Sequence, residues 1–166
     1  SDPFAVNYSF ASAQIITARQ AATAAITAAG LPTGWSLGWH IADWLLPAGL
    51  WQHQGTPLSA VLRIAQAAGA YVQTDAVLST LHVRNRYPYP PWNWESLVPD
   101  VVLPTDVVSR EAVEWVDKPA YNEVYVSGEA LGVLGHALKS GTTGGLGAPM
   151  VVDDLLTQEP AARQRA

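Results

Sequence analysis

The sequence predicts an α+β fold: two main helices packed on small antiparallel β-sheets, with a β-rich C-terminal half forming a sheet or partial barrel. Two observations carry this. A well-capped helix followed by two extended runs lies between Gly55 and Tyr87. A train of short β-branched runs, separated by Pro, Gly or Asp, follows residue 100.

The helix starts at Thr56, a good N-cap, with Pro57 at the first helical position, where its missing N–H costs nothing. Leu58, Val61, Leu62, Ala65 and Ala68 fall on one apolar stripe, and Gly69 stands where a left-handed residue would end the helix. Ala70 to Thr74 then reads as a strand, Asp75 to Ser79 as a turn, and Thr80 to Arg84 as a second strand. In that second strand Leu81 and Val83 alternate with outward Thr80, His82 and Arg84. The helix is expected to lay its stripe on the apolar face of this hairpin.

Upstream, Ser9 to Gly30 reads as an alanine-dominated helix, capped by Ser9 or Ser12 and ended by Gly30 with Pro32. Ile15, Ile16 and Ile26 are its larger apolar groups, so docking rather than propensity must stabilise it. Trp35, Trp39, Trp44 and Trp51 follow, with short strands at Trp35–Ile41 and Asp43–Leu46, the second stopped by Pro47. The prolines from Arg86 to Trp94 exclude helix and force an extended crossover. Downstream strands are expected at Val101–Leu103, Ser109–Trp115, Asn122–Ser127, Gly132–Leu138 and Met150–Val152. Ser140–Gly147 reads as a flexible Gly-rich loop and Glu159–Ala166 as the first turns of a helix. The expected organisation is a helix and hairpin lobe over 1–86, a Pro-rich crossover over 87–99, a β-rich lobe over 100–158, and the start of a helix over 159–166.

Composition narrows the function classes. The 166 residues are 49% hydrophobic but 14% charged, against about 25% in ordinary soluble domains. Two explanations stand side by side: a surface largely covered by sister subunits, or a composition rich in Ala, Val and Gly for genomic reasons. A net charge of −5 with nine Lys plus Arg argues against a nucleic-acid surface. The absence of cysteine removes disulfides, thiol nucleophiles and Cys-type zinc sites. Apolar stretches are too short and interrupted to insert in a membrane, and Ser1-Asp2-Pro3-Phe4 has no signal-peptide pattern. Without an initiator Met, the chain is expected to be part of a longer protein.

No catalytic, cofactor or metal residues emerge, and an enzyme is not expected. His40, His53, His82 and His136 lack HxH or HxxxH spacing. Asp153-Asp154 lacks EF-hand spacing and reads as a turn or helix entry. The pairs Glu111/Glu114 and Glu95/Asp100 could be cast as a glycosidase couple, but 14 acids offer such pairs by chance. There is no GxSxG elbow, and Ser140–Gly147 lacks the Lys-Ser/Thr of a phosphate loop. Aromatic residues are better candidates. Of seven Trp, most should fill the core, whereas Trp92 and Trp94, with Tyr87 and Tyr89 on the Pro-rich stretch, are placed to face a partner. Thr80, His82 and Arg84 are candidates for subunit contact.

The order of these signals resembles a known family. An Ala-rich helix over Ser12–Ala29 precedes Asp43-Trp44 and Leu46-Pro47-Ala48-Gly49. Gln54 to Pro57 opens a helix ending at Ala65–Ala70; Val72–Asp75, Leu81–Val83, Arg86–Pro88 and Pro91-Trp92 follow. Tyr121–Gly128, Gly132-Val133, Gly141–Gly144, Ala148-Pro149, Leu155–Thr157 and Ala161–Arg163 close the series. Over nearly the whole chain after about residue 10, this resembles the tail hub (baseplate hub, Mu-like tail) proteins of tailed bacteriophages and prophages. The resemblance implies a structural part of the virion tail, made in the bacterial host cytoplasm. It implies a subunit of a commonly trimeric ring at the distal tail, with other tail and baseplate proteins as partners. It carries over no catalytic residue and no cofactor. The chain is much shorter than a whole hub protein. Two rivals remain: a carbohydrate- or cell-wall-binding module using exposed Trp, and a tail-associated peptidoglycan hydrolase.

Overall fold

The computed structural model describes residues 6–28, 35–89, 91–99, 101–102, 104–107, 109–116 and 119–166. Their architecture is α+β, with three helices and four sheets of two or three strands.

The N-terminal segment corrects the expected helix from Ser9. Tyr8–Ala11 is a strand, β1, paired antiparallel with β5 (Gln52–Gly55). Its alternation buries Phe10 and exposes Ser9 and Ala11, a period of two that a helix would have broken. The two-residue strand β2 (Ile16–Thr17) pairs antiparallel with β4 (Leu45–Leu46). Only then does helix α1 (Ala18–Ala28) begin. Its opening is a reciprocal capping box. Thr17 Oγ1 accepts from the Gln20 amide at 3.1 Å, and Gln20 Oε1 accepts from the Thr17 amide at 2.8 Å. Ala18, Ala21, Ala22, Ala25 and Ile26 form the buried stripe. The end expected at Gly30 and Pro32 lies outside the described residues.

Helix α2 (Pro57–Ala67) is capped as expected, with Thr56 Oγ1 accepting from the Ser59 amide at 3.2 Å. Gly69 follows in the left-handed region at φ +67°. The buried face is rotated from the expected stripe. Pro57, Ala60, Val61, Ile64, Ala65 and Ala67 are buried, while Leu58 and Leu62 sit at its margin. The reason is that α2 packs on two neighbours, α1 and the following strand β6. Alanines on α1 and α2 allow the two helices to approach closely.

Strands β6 (Ala70–Asp75) and β7 (Thr80–Asn85) form the expected antiparallel hairpin. Asp75 Oδ1 holds the turn by accepting from the amides of Val77 and Leu78. Strand β3 (Ser36–His40) joins the far side of β7 in parallel, giving the order β3-β7-β6. In the C-terminal part β8 (Glu123–Gly128) pairs antiparallel with β9 (Val133–Leu138) and parallel with β10 (Val151–Val152). The sheets are therefore not all antiparallel, and among the described residues there is no barrel.

Helix α3 (Glu159–Arg165) packs on β8 and β9. Asp153 anchors it: the Arg63 guanidinium of α2 lies 2.9 Å from that carboxylate and the Arg165 guanidinium of α3 lies 3.1 Å from it. Arg165 also donates to the carbonyls of Gln66 and Ala67, satisfying the end of α2. One core joins α1, α2 and the β3-β7-β6 sheet to Val126, Leu155, Leu156, Ala161 and Ala162.

Contacts divide the chain into two compact units, Ser1–Arg86 with Tyr121–Ala166, and Tyr87–Ala120. In the second unit, the expected exclusion of helix from the Pro-rich stretch is corrected by a 3-10 helix at Pro91–Ser96. Proline restricts the residue before it but is well suited to open a helical turn. A second 3-10 turn spans Thr105–Val107. The strands expected at Val101–Leu103 and Ser109–Trp115 are absent from their described residues, 101–102 and 109–115. Val101, Val102, Val113 and Trp115 are exposed, so no buried face rewards pairing.

Candidate functional site

Two sheet faces of the first unit and one aromatic group of the second contain the chemistry available for recognition. The parallel register of β3 on β7 builds the first face. It sets Ser36 opposite Thr80, Gly38 opposite His82 and His40 opposite Arg84. The antiparallel register of β6 adds Asp75, Gln73 and Tyr71 beside those three β7 residues. One face of the sheet is thus polar, while Leu81 and Val83 on the other enter the core.

Thr80 differs from its expected exposure. It is 9% exposed, and its hydroxyl lies 2.9 Å from Ser36 Oγ and donates to the Leu78 carbonyl. A short polar side chain can be buried here because the face supplies both partners. His82 is half-buried, and its Nδ1 lies 2.9 Å from His40 Nε2. Arg84 is exposed, as expected. His40 was not singled out with this group by sequence spacing, because the parallel pairing of distant strands brings it there. The available signal was the alternation Ser36, Gly38, His40 within an expected strand.

The other histidines are occupied elsewhere. His53 stacks on Trp51 with ring centroids 5.8 Å apart, and its Nε2 lies 2.8 Å from Ser59 Oγ. Burial first, and the Arg63 charge second, hold its pKa below the ordinary imidazole value. His136 stacks on Tyr125 at 4.4 Å and lies 3.5 Å from Glu123. Glu123 and Asn122 also tie down the Gly-rich loop, through the amides of Gly145 and Leu146. Among the described residues no three His, Cys, Asp or Glu groups converge.

The second face is the outer side of the β10-β8-β9 sheet. Val126 and Gly135 turn inward, and Gly135 lies against α3. By alternation Leu134, His136 and Leu138 turn outward, with Tyr125 beside His136 and Val152 beside Ser127. Leu134 is 52% exposed, Leu138 45% and Val152 50%. Sequence reading found these strands but not that Leu134, Leu138 and Val152 turn outward on them beside polar Ser127 and His136.

In the second unit Tyr87, Tyr89 and Trp94 are exposed. Tyr87 and Trp94 stack with centroids 6.2 Å apart, and Trp94 Nε1 donates to the Tyr89 carbonyl at 3.0 Å. The side chain of Trp92 lies outside the described residues. Trp115, 92% exposed, is a further aromatic not singled out before.

No protein-family model matches the chain, and no curated protein matches it. Among solved structures it is similar to the tail protein from Neisseria meningitidis MC58, at 18% sequence identity and a TM-score of 0.41. The match covers 92% of this chain and 45% of that one, so the chain spans less than half the length of the structure it matches. No helix among the described residues is long and apolar enough to cross a membrane.

Proposed function

We propose that this chain is a structural domain of a phage or prophage tail protein, hub-like in kind, that works by assembling with other tail subunits rather than by catalysis. The observation that carries the assembly reading is the outer face of the β10-β8-β9 sheet. Leu134, Leu138 and Val152 stand on it, and Leu131, Leu146 and Met150 are exposed in the segments around it. Exposed apolar side chains gathered on one sheet face, here interleaved with His136 and Ser127, are a feature of interaction sites. The low charge fraction agrees with a chain covered by neighbours. The order of motifs from Asp43-Trp44 to Ala161–Arg163 supplies the tail assignment. A ring, commonly trimeric, in the distal virion tail is the state proposed for the full-length protein. Its test is the solution mass of that protein by light scattering. A stable oligomer supports the reading, and a monomer at every concentration defeats it.

A second reading is favoured by the Tyr87–Trp94 pair and by Trp115, whose exposed rings could stack on sugars. Titration with cell-wall glycan fragments, followed by Trp fluorescence, separates the two. Saturable quenching would favour a glycan-binding module. A hydrolase using Glu95 or Glu111 would show a clearing zone in a peptidoglycan zymogram, lost on Glu95→Gln or Glu111→Gln.

A further inference from the structure

We propose that His40 and His82 form a two-histidine site for a borderline divalent cation, Zn²⁺, Ni²⁺ or Cu²⁺, seated above Gly38 on the polar face of the β3-β7-β6 sheet. The argument starts from the register. Gly38 lies directly opposite His82, and His40 is two residues along the same strand. A Cβ at position 38 would collide with His82 Nδ1 and come within 3.0 Å of His40 Nε2. Both ring nitrogens therefore converge over the one residue of β3 that carries no side chain.

Their separation suits a shared metal. His40 Nε2 and His82 Nδ1 are 2.9 Å apart. Two metal–nitrogen bonds of about 2.0–2.1 Å span about 2.9 Å at a right angle and about 3.3 Å at the tetrahedral angle. Small rotations of two partly solvated rings cover that range. Imidazole nitrogens select Zn²⁺, Ni²⁺ and Cu²⁺ over Mg²⁺ and Ca²⁺, which prefer oxygen. Among the described residues no third His, Cys, Asp or Glu joins, so water fills the remaining positions.

The proton balance is simple. In the metal-free pair one ring carries its proton between the two nitrogens. Binding moves that proton, through solvent, to the far nitrogen of the same ring, so the neutral pair releases none overall. The other groups on this face are Gln73, Ser36, Thr80, Asp75, Tyr71 and Arg84. The Asp75 carboxylate is engaged in the turn, and the Arg84 charge, beside His40, opposes a cation.

The test is calorimetric titration of the whole 166-residue chain with NiCl₂ and ZnCl₂ above neutral pH. One cation per chain should bind saturably. His40→Ala and His82→Ala should each weaken binding by roughly tenfold or more, with unchanged circular dichroism, and Gly38→Ala should do the same by displacing His82. Arg84→Gln should tighten it severalfold, and His136→Ala should leave it unchanged. Binding by His82→Ala as tight as the parent's, or no saturable binding up to ~1 mM metal, would overturn the proposal.

Discussion

Trp44 and Leu155, 111 residues apart, are joined by a buried hydrogen bond in which the indole Nε1–H donates to the Leu155 carbonyl at 2.7 Å. Thr157 donates similarly to the carbonyl of Leu45 next to Trp44. Replacing Trp44 by Phe would leave a buried carbonyl without its donor and a gap where the larger ring stood. We expect Trp44→Phe to lose about 2–3 kcal/mol, read from urea unfolding. A variant as stable as the parent would mean that the bond contributes nothing net.

Asp153 gives an acid-side prediction. Burial alone would push its carboxyl up; hydrogen bonds from Arg63 and the Leu155 amide, with the charges of Arg63 and Arg165, more than reverse this and hold it below the usual carboxylate value. Its stabilisation is complete above the unfolded value near 3.8 and is lost as pH falls through the lower folded value. At neutral pH Asp153→Asn should cost on the order of 2–3 kcal/mol. That is below the range for a fully buried pair, because Arg63 keeps 31% of its side chain in solvent. The same substitution should flatten the loss of stability that the parent protein shows as pH falls below the unfolded value near 3.8. Equal acid profiles for the two proteins would contradict the assignment.

His53 acts at milder pH. Its folded pKa is depressed, so the unfolded chain takes up the proton more readily. The contribution is fully present above the unfolded value of 6.5 and is lost as pH falls toward the folded one. Chemical unfolding compared above pH 7 and near pH 5.5 should show the parent losing stability. His53→Gln should lose less, and a steeper loss in the variant would reverse the sign argued here.

Two glycines on β8 and β9 test the packing of the C-terminal segment. A Cβ on Gly128 would overlap the Leu156 carbonyl, and one on Gly135 would overlap the backbone of Ala162 and Arg163 in α3. Backbone cannot yield as a side-chain tip can. Gly128→Ala and Gly135→Ala should each destabilise by roughly 2–3 kcal/mol or more, measured by thermal melting. Unchanged melting would imply that Leu156, for Gly128, or α3, for Gly135, sits farther from the sheet.

The exposed apolar face makes the opposite prediction. Leu134→Lys with Leu138→Glu should leave unfolding of the domain within about 0.5 kcal/mol, because neither side chain enters the core. Association of the full-length protein should weaken sharply in sedimentation. Undiminished association would move the interface elsewhere.

Local signals were legible where they were complete within a few residues. Thr56-Pro57 and Gly69 bounded α2 correctly, and the alternation from Ala70 to Arg84 gave the hairpin. Where a partner was remote, the reading failed. Nothing around Tyr8–Ala11 announces pairing with Gln52–Gly55, while the alanines nearby invite an early helix. The true start carries the Thr17–Gln20 box, whereas the caps expected from the sequence are Ser9 or Ser12. The β-branched runs between Val101 and Trp115 satisfy strand propensity, yet their described residues join no sheet. His40 and His82 meet only through a parallel pairing of strands separated by β4, β5, α2 and β6. That pairing is a property of topology, which spacing in a single sequence does not encode.

The discontinuity of the first unit also sets the order in which it can form. On a ribosome, β1 to β7 emerge long before Leu155, Leu156, Ala161 and Ala162, which share their core. Until those residues arrive, Trp44 lacks its acceptor and the carbonyls of Gln66 and Ala67 lack Arg165. A nascent chain stopped at residue 120 would hold an open core, vulnerable to proteases and to chaperone capture, and synthesis of the segment from Leu155 to Arg165 is the event that closes it.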